Sequence, residues 1–334
     1  MKIAFFELEG WEEKFIAENF PQDQLFLNRE KVNEFSLPPE NDFEIVSIFV
    51  DSEINAKVLP HFPKLKFLTT RSTGYDHIDL NVCKKRGVAV AYVPGYGDNT
   101  VAEFAFGLIL SLTRKIYQAI DRIKENGSFS LKDLRGIDLK GKTIGVVGTG
   151  RIGKEAIKIA QGFGMKILAF DPMPDKNFQK SVGFDYVAFD DLLKNADIIT
   201  IHCPFNEKTH HLINKENIEL IKPGAFLINT ARGEIVETEA LVYGLRMKIL
   251  GGVALDVLEE EGEVKDELNF LTKEHPKEKE LKNMLYNHIL MEMPNVLITP
   301  HNAFNSEEAI QRILSTTVEN IKSFAVGKPA NLLK

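Results

Sequence analysis

The stretch GVVGTGRIG, residues 145–153, decides the fold class of this chain. An apolar, strand-like run leads into it and a helix-like run, residues 152–163, follows it. In such a strand–turn–helix, one glycine allows the tight turn, the second lets the backbone approach a pyrophosphate, and the third allows the helix to pack closely on the strand. The glycines in these three places are Gly148, Gly150 and Gly153. The stretch therefore predicts a dinucleotide-binding unit.

An acidic residue at the end of the next strand-like run supports this prediction. KILAFD, residues 166–171, ends in Asp171, eighteen residues after Gly153. A carboxylate at this place accepts hydrogen bonds from ribose hydroxyls and repels a 2′-phosphate, which favours NAD over NADP. Arg151, just inside the loop, is a candidate contact to the pyrophosphate. The alternative is a plain glycine turn with a surface aspartate.

Strand-like and helix-like runs alternate along most of the chain. The first hundred residues hold four strand-like runs: MKIAFFEL, FEIVSIFV, LKFLTTRS and GVAVAYVP. The middle third holds six: KTIGVVG, KILAFD, ADIITIHCP, AFLINTA, GGVALDV and NVLITPH. Helix-like runs follow at residues 152–163, 190–195, 215–221, 238–245 and 306–324. Nearly continuous apolar strands are typical of parallel sheets covered on both faces, so we expect doubly wound α/β domains.

Composition bounds the classes of function. The 334 residues carry a net charge of −7, with 44% hydrophobic and 27% charged residues, as in a globular protein of two domains. An acidic chain argues against nucleic acid as a partner. MKIAFFELEG lacks the apolar run of a signal peptide, and the most apolar later window, residues 104–112, is too short to cross a bilayer. We therefore expect a cytoplasmic protein with no membrane contact. Cys83 and Cys203 form no C-x-x-C pair, which predicts no metal site.

Two long segments flank the dinucleotide unit. A helix is predicted from Thr100 to Asn126, with Thr100 and Glu103 as a capping box and Gly127 as its end. This helix suits a link between domains, a face for a second subunit, or plain core burial. The Glu- and Lys-rich segment 259–293 interrupts the strand–helix rhythm, which is typical of a functional loop or a lid.

Three polar residues follow the last strand-like runs, and their types suit the binding of a carboxylate and the transfer of a proton. They are Arg232, Glu261 and His301. The carboxyl ends of parallel strands share one edge, so we expect the three to lie close together there. An arginine can bind a carboxylate through two hydrogen bonds, and a histidine with a glutamate behind it can donate or accept a proton near neutrality. Each residue alone has a plainer interpretation; for example, Glu261 ends a run of three glutamates, which is typical of a solvated face.

Together these segments resemble the D-isomer-specific 2-hydroxyacid dehydrogenases over essentially the whole chain. The resemblance lies in GVVGTGRIG with Asp171, LINTARGEIV (227–236), GGVALDVLEEE (251–261) and ITPHNAF (298–304). It implies a flavodoxin-like substrate domain of residues 1–99 and 301–334, a Rossmann NAD domain of residues 100–300, and a cleft between the two. It also implies a homodimer, with the helix after residue 99 as the arm.

The resemblance also implies roles for individual residues. Arg232 binds the substrate carboxylate, Glu261 supports the histidine, and His301 is the acid/base. The cofactor-binding positions are Gly148, Gly150, Arg151, Ile152, Gly153, Asp171, Cys203, Pro204, Thr209, Thr230, Ala231, Arg232 and Asp256, with Asp256 at the nicotinamide carboxamide. The substrate positions are Ser72, Thr73, Gly74, Tyr96, Arg232, His301 and Phe304.

Within the family, the chain is most similar to the D-lactate dehydrogenase branch. Tyr96, Phe304 and the long insertion before His301 match that branch and imply reduction of pyruvate by NADH. Asn302 and residues 95–98 differ from the commonest sequence of that branch. Glyoxylate, hydroxypyruvate and branched 2-keto acids therefore stay open as substrates. Phosphoglycerate dehydrogenases often carry a further regulatory domain, and formate dehydrogenases lack the glutamate found here at Glu261. The alternative from another class is an NAD-sensing corepressor, which binds NADH without turnover.

Overall fold

The computed structural model describes residues 1–259, 261 and 278–333. The contacts within the chain divide it into two compact units, Met1–Tyr96 with Asn305–Lys334, and Gly97–Phe304. The sequence placed the divisions after residues 99 and 300. In the structure residues 97–99 and 301–304 belong to the second unit, so His301 lies in the same unit as the glycine loop.

The first unit is built on a five-stranded parallel sheet. The strands are β1 (Lys2–Phe5), β2 (Gln24–Leu27), β3 (Ile45–Ile48), β4 (Phe67–Thr70) and β5 (Ala89–Ala91). Their order is β2-β1-β3-β4-β5, the flavodoxin-like order of a doubly wound sheet. The helices of this unit are α1 (Gly10–Asn19), α2 (Leu80–Lys85) and the C-terminal helix Glu307–Ala325.

Alternation along the strands gives this sheet an apolar core on each face. Val46 and Leu68 belong to one cluster, and Ile45 and Phe67 to the other. Because successive side chains of a strand point to opposite faces, one short apolar run supplies both cores. Each fully buried side chain of this size stabilises the fold by roughly 1.5–3 kcal/mol. The sequence missed β2, an edge strand with only half-buried side chains.

The second unit is built on a seven-stranded parallel sheet. Its strands are β6 (Thr143–Val147), β7 (Lys166–Phe170), β8 (Asp185–Tyr186), β9 (Ile198–Ile201), β10 (Ala225–Asn229), β11 (Leu250–Leu255) and β12 (Val296–Ile298). Their order, β12-β11-β10-β9-β6-β7-β8, is the Rossmann order extended by one strand. The two doubly wound parallel sheets confirm the predicted fold class. The helices are α3 (Asp98–Thr113), α4 (Ile116–Asn126), α5 (Arg151–Gly162), α6 (Lys176–Val182), α7 (Phe189–Asn195), α8 (Thr238–Arg246) and α9 (Glu278–Met291).

The helix predicted over residues 100–126 is two helices, α3 and α4. Lys115 lies between them with a left-handed φ of 54°. The carbonyl of Thr113 accepts a hydrogen bond from the N–H of Ile137 at 3.0 Å, outside the helix. This contact is tertiary, so the helical periodicity of the sequence does not reveal the break.

The predicted capping box is also wrong. The helix begins after Gly97, and Thr100 is buried inside α3. Glu103 accepts a hydrogen bond from the side chain of Asn99 at 3.0 Å and so does not reach the helix start. The predicted end is confirmed, since Gly127 follows α4 in the left-handed conformation that glycine favours.

Two further predictions concern the segments 215–221 and 259–293. Of the helix expected over residues 215–221, only a single 3₁₀ turn forms, at Ile218–Leu220. The insertion 259–293 contains α9, while residues 260 and 262–277 lie outside the described part of the chain. Within the described residues, no helix combines the length and the hydrophobicity needed to cross a membrane.

Candidate cofactor and active site

The predicted site residues of the second unit follow the carboxyl ends of its strands. The glycine loop follows β6, Asp171 follows β7, Cys203 follows β9, Arg232 follows β10, Asp256 and Glu261 follow β11, and His301 follows β12. Neighbouring parallel strands end on the same edge, which is where doubly wound sheets bind their ligands.

Each of the three motif glycines has the environment that a dinucleotide loop requires. Gly148 has a φ of 92°, and a Cβ added there would lie 2.6 Å from the backbone N of Cys203. A Cβ added at Gly153 would lie 2.0 Å from the carbonyl oxygen of Gly148. By contrast, a Cβ at Gly150 would meet open space. The first and third glycines are thus needed for packing, and the second leaves the backbone open to a ligand.

Helix α5 begins at this loop, and no side chain of the N-cap residue caps its N-terminal end. Gly150 is its N-cap and supplies no side-chain acceptor to the first-turn N–H groups. Free N–H groups and the helix dipole favour a phosphate there. Arg151 forms an ion pair with Asp98, with 3.6 Å between Nε and Oδ1, and its side chain is about half exposed. Ile152 is partly buried against the apolar core, and its contact with the cofactor stays a prediction.

Asp171 is held in one orientation by its own neighbours. Its Oδ2 accepts hydrogen bonds from the N–H and the hydroxyl of Thr149, at 2.7 and 3.1 Å. Its Oδ1 accepts one from the N–H of Met173 at 2.8 Å. The Tyr186 hydroxyl contacts the Thr149 hydroxyl at 2.8 Å. A fixed carboxylate one strand away from the glycine loop fits a ribose that carries free hydroxyls.

The loop after β9 packs against the glycine loop through Cys203, and its first two residues are uncharged. Burial raises the pKa of the Cys203 thiol to about 11 and lowers that of the His202 imidazole to about 4, so both are neutral at pH 7. Thr209 closes this loop by donating to the carbonyl of Pro204 at 2.7 Å and accepting from the N–H of Asn206 at 2.8 Å. The sequence analysis did not single out His202.

The turn after β10 is fixed by a buried asparagine. Asn229 donates to the carbonyl of Arg232 at 2.8 Å and accepts from the N–H of Ala231 at 3.0 Å. Thr230 is buried between them. The guanidinium of Arg232 donates to the carbonyl of Ala231 at 2.8 Å. These bonds set the direction in which the Arg232 side chain leaves the sheet.

The structure brings Glu261 and His301 into direct contact. Nδ1 of His301 lies 3.1 and 3.2 Å from the two carboxylate oxygens of Glu261. Because an ionised carboxylate only accepts hydrogen bonds, Nδ1 carries the proton in this contact; the role of Nε2 as the proton donor to a substrate stays a prediction. His301 has a φ of 53°, in the left-handed region that non-glycine residues adopt uncommonly.

Asp256 supports the loop that carries His301. Its carboxylate accepts hydrogen bonds from the Thr299 hydroxyl at 2.5 Å and from the N–H groups of Asn302 and Ala303, both at 2.8 Å. Its own carbonyl accepts from the N–H of His301 at 2.9 Å. Burial raises the pKa of this carboxyl, while the hydrogen bonds oppose that shift. The contact of Asp256 with a nicotinamide carboxamide stays a prediction.

Most of the predicted substrate residues lie in the first unit. The Ser72 hydroxyl donates to the carbonyl of Gly74 at 2.6 Å, and the Thr73 hydroxyl donates to the carbonyl of Val93 at 2.8 Å. In the described parts of the chain, no group accepts a hydrogen bond from the backbone N–H of Thr73 or Gly74. These two amides are therefore available to an anion. Tyr96 also lies in this unit, whereas Phe304 ends the second.

A buried arginine that the sequence analysis missed fixes the start of this turn. Arg71 follows β4 and is almost fully buried. Its guanidinium donates to the carbonyls of Phe6 and Glu7 at 2.8 and 2.6 Å. The RS dipeptide gave no signal of burial, because arginine is almost always exposed. Among the described residues there is no cluster of His, Cys, Asp and Glu that could hold a metal ion.

Comparisons with known proteins bear on the same regions. The family model described as D-isomer specific 2-hydroxyacid dehydrogenase, NAD binding domain, matches residues 106–303. A 2-hydroxyacid dehydrogenase homolog of Zymomonas mobilis is 36% identical over 98% of both chains. An aromatic 2-oxoacid reductase of Clostridium sporogenes is 37% identical over 84% of this chain and 83% of its own. The structure of the D-lactate dehydrogenase of Aquifex aeolicus, complexed with NAD and lactic acid, has a TM-score of 0.85 at 35% identity, covering 98% and 96% of the two chains.

Proposed function

The chain belongs to the D-isomer-specific 2-hydroxyacid dehydrogenases and binds NAD, and from this premise we propose that it is a D-lactate dehydrogenase that reduces pyruvate. The observation that carries the proposal is the hydrogen bond between His301 and Glu261, on the sheet edge that also carries the glycine loop. Lactate as the product is supported by the structural similarity to the Aquifex aeolicus enzyme, whose complex contains lactic acid.

The proposed mechanism assigns one task to each side chain. Bound NADH supplies the hydride that reduces the C2 carbonyl of the keto acid. Arg232 binds the substrate carboxylate through its planar fork. Protonated His301 donates from Nε2 to the ketone oxygen, while Glu261 accepts from Nδ1 and stabilises the charged ring.

The cofactor preference follows from Asp171. Its carboxylate is fixed by Thr149 and Met173, so it cannot turn away from a 2′-phosphate without losing hydrogen bonds. The charge of a phosphate beside this carboxylate is unfavourable, and we therefore expect NADH to be used much better than NADPH.

We also propose that two copies of the chain pair through α4. Ile116, Tyr117, Ile120 and Ile123 form one face of this helix, and each is 43–50% exposed. An apolar helical face of this kind is typical of a surface that a partner covers. We expect Ile120→Asp, which places a charge on this face, to be a monomer in light scattering. A dimeric Ile120→Asp would show that α4 is not the interface.

The experiment that tests the function follows NADH absorbance with a panel of keto acids. The panel contains pyruvate, glyoxylate, hydroxypyruvate, 2-ketoisocaproate and phenylpyruvate, the last because of the Clostridium sporogenes relative. We expect the highest kcat/KM with pyruvate. A better substrate elsewhere in the panel keeps the mechanism and replaces lactate. NADH binding without turnover of any member contradicts the enzyme and favours an NAD-sensing regulator.

A further inference from the structure

Glu259, the first of the three consecutive glutamates, has no part in the proposed mechanism, yet it is buried and only 4% exposed. Its Oε1 lies 2.8 Å from Nε2 of His211. Its Oε2 accepts from the N–H and the hydroxyl of Thr238, at 3.0 and 2.7 Å. A buried carboxylate with three close hydrogen-bond partners is unlike a residue of a solvated face.

The carboxylate of Glu259 is the charged partner of this cluster. Burial acts to raise its pKa, but the hydrogen bonds from Thr238 and His211 outweigh burial and leave the pKa below its ordinary value. An ionised carboxylate only accepts, so the His211 nitrogen that faces it carries a proton. Removal of His211 leaves the buried carboxylate of Glu259 without one of its hydrogen bonds, which is costly.

Three segments of the active-site edge meet at Glu259. His211 belongs to the loop after β9, and its N–H donates to the carbonyl of Glu234 at 2.8 Å. Thr238 begins α8, shortly after Arg232. The backbone N of Glu259 itself lies against Gly233, where an added Cβ would come within 2.3 Å of it. The side chain of Glu259 thus contacts Thr238 and its backbone lies against Gly233, both in the segment that follows Arg232.

We propose that Glu259 and His211 form a positioning pair that holds Glu261 and Arg232 in register for the reaction. Glu259 lies two residues before Glu261, the partner of His301, and it is bonded to the segment that begins with Arg232. The pair therefore links the group that supports the acid/base to the group that binds the substrate carboxylate. This inference rests on the proposed function, since it concerns the efficiency of that reaction.

A purely structural cap for α8 is the competing explanation. The N-cap residue of this helix, Glu237, makes no capping bond through its side chain, so Glu259 supplies the missing acceptor. A cap that only stabilises the helix changes the melting temperature and leaves kcat of the folded enzyme unaltered. A positioning pair lowers kcat even where the protein is fully folded.

The test compares His211→Ala with His210→Ala in the full-length protein. His210 is the exposed neighbour of His211, with 3.9 Å between ring centroids, and within the described residues it is not among the hydrogen-bond partners of the Glu259 carboxylate. For each variant we measure the melting temperature, the Kd for NADH by fluorescence titration, and kcat and KM for pyruvate. Glu259→Gln, which keeps size and removes charge, serves as the second variant if His211→Ala does not fold.

We expect kcat of His211→Ala to fall about 10–100-fold, the cost of a small misplacement of catalytic groups, with the Kd for NADH within about twofold. Added imidazole restores part of kcat in a saturable way, and His210→Ala behaves as wild type. A kcat within twofold of wild type, or a loss confined to melting temperature, overturns the positioning pair while wild-type turnover leaves the proposed function intact. Absence of wild-type turnover on every keto acid instead refutes the proposed function and the pair with it.

Discussion

The glycine loop and the catalytic edge of the same sheet are built in different ways. The loop acts through backbone: Gly148, Gly150 and Gly153 shape a surface within one strand–turn–helix, and its partner Asp171 lies one strand away. The proposed catalytic edge is made of side chains that follow three strands, and its central contact joins Glu261 to His301 across forty residues of sequence.

This difference separates the residues expected to bind the cofactor from those expected to act on the substrate. A site made of backbone depends on glycine packing, so its substitutions change folding and NADH affinity together. A site made of side chains depends on the order of the strands, so its substitutions leave the fold and the cofactor in place and change the chemistry. Each variant below tests one side of this division.

The largest expected effect is on the side-chain edge. His301→Gln removes the proton donor while β12 and the loop held by Asp256 remain. We expect kcat to fall by about two to four powers of ten, with little change in the Kd for NADH. The decrease of NADH absorbance measures kcat, and fluorescence titration measures the Kd for NADH. His210→Gln is the control, and wild-type turnover in His301→Gln refutes the acid/base assignment.

Arg232→Lys tests the carboxylate site on the same edge. Lysine keeps the charge but loses the planar fork, and one charge-assisted hydrogen bond is worth roughly 1.5–3 kcal/mol. We expect KM for the keto acid to rise about 10–100-fold, with a smaller change in kcat. Arg246→Lys, at the exposed end of α8, is the matched control. An unaltered KM would show that Arg232 does not bind the carboxylate.

Gly153→Ala tests the backbone side. Its Cβ would meet the carbonyl oxygen of Gly148 at 2.0 Å, so helix and strand must move apart. We expect the free energy of unfolding to fall by about 1–3 kcal/mol and NADH affinity to fall with it. Gly162→Ala, at the other end of α5 with no atom within 4 Å of the added Cβ, should be neutral or stabilising. Equal behaviour of the two variants in urea unfolding would contradict the close-packing role.

At neutral pH the smallest expected effect is that of His202, whose contribution is confined to the pH dependence of stability. Burial lowers the pKa of His202 from 6.5 to about 4. The unfolded imidazole binds a proton that the folded one does not, so the free energy of unfolding decreases as the pH falls from 6.5 to 4. His202→Gln removes this contribution and should flatten the urea-unfolding curve against pH in that window. An identical slope in His202→Gln and wild type would contradict a neutral, buried His202.

The same division explains how far the sequence alone could predict the site. The glycine loop and Asp171 are close in sequence, and their spacing already predicts the geometry found here. Glu259 and Glu261 are two positions apart and identical in type, yet one is buried against His211 and Thr238 and the other contacts His301. Only the packing of segments that are distant in sequence distinguishes the two glutamates, and the spacing of residues in the sequence does not predict that packing.

The misses in the fold have the same origin. The break before α4 depends on the bond from Ile137 to Thr113, and β2 depends on pairing with β1, since its own residues are only half buried. Periodicity reports local burial, whereas these features depend on tertiary partners. The burial of Arg71 is of the same kind, because arginine is a residue type that is mostly exposed.

The most direct test of the central claim is the oxidation of the two lactate enantiomers with NAD as the acceptor. The proposed assignment of Arg232, Glu261 and His301 in this family predicts that NADH forms with D-lactate and not with L-lactate, and that His301→Gln abolishes the signal while NAD still binds. NADH formation from L-lactate, or from D-lactate at the same rate in His301→Gln, would contradict it.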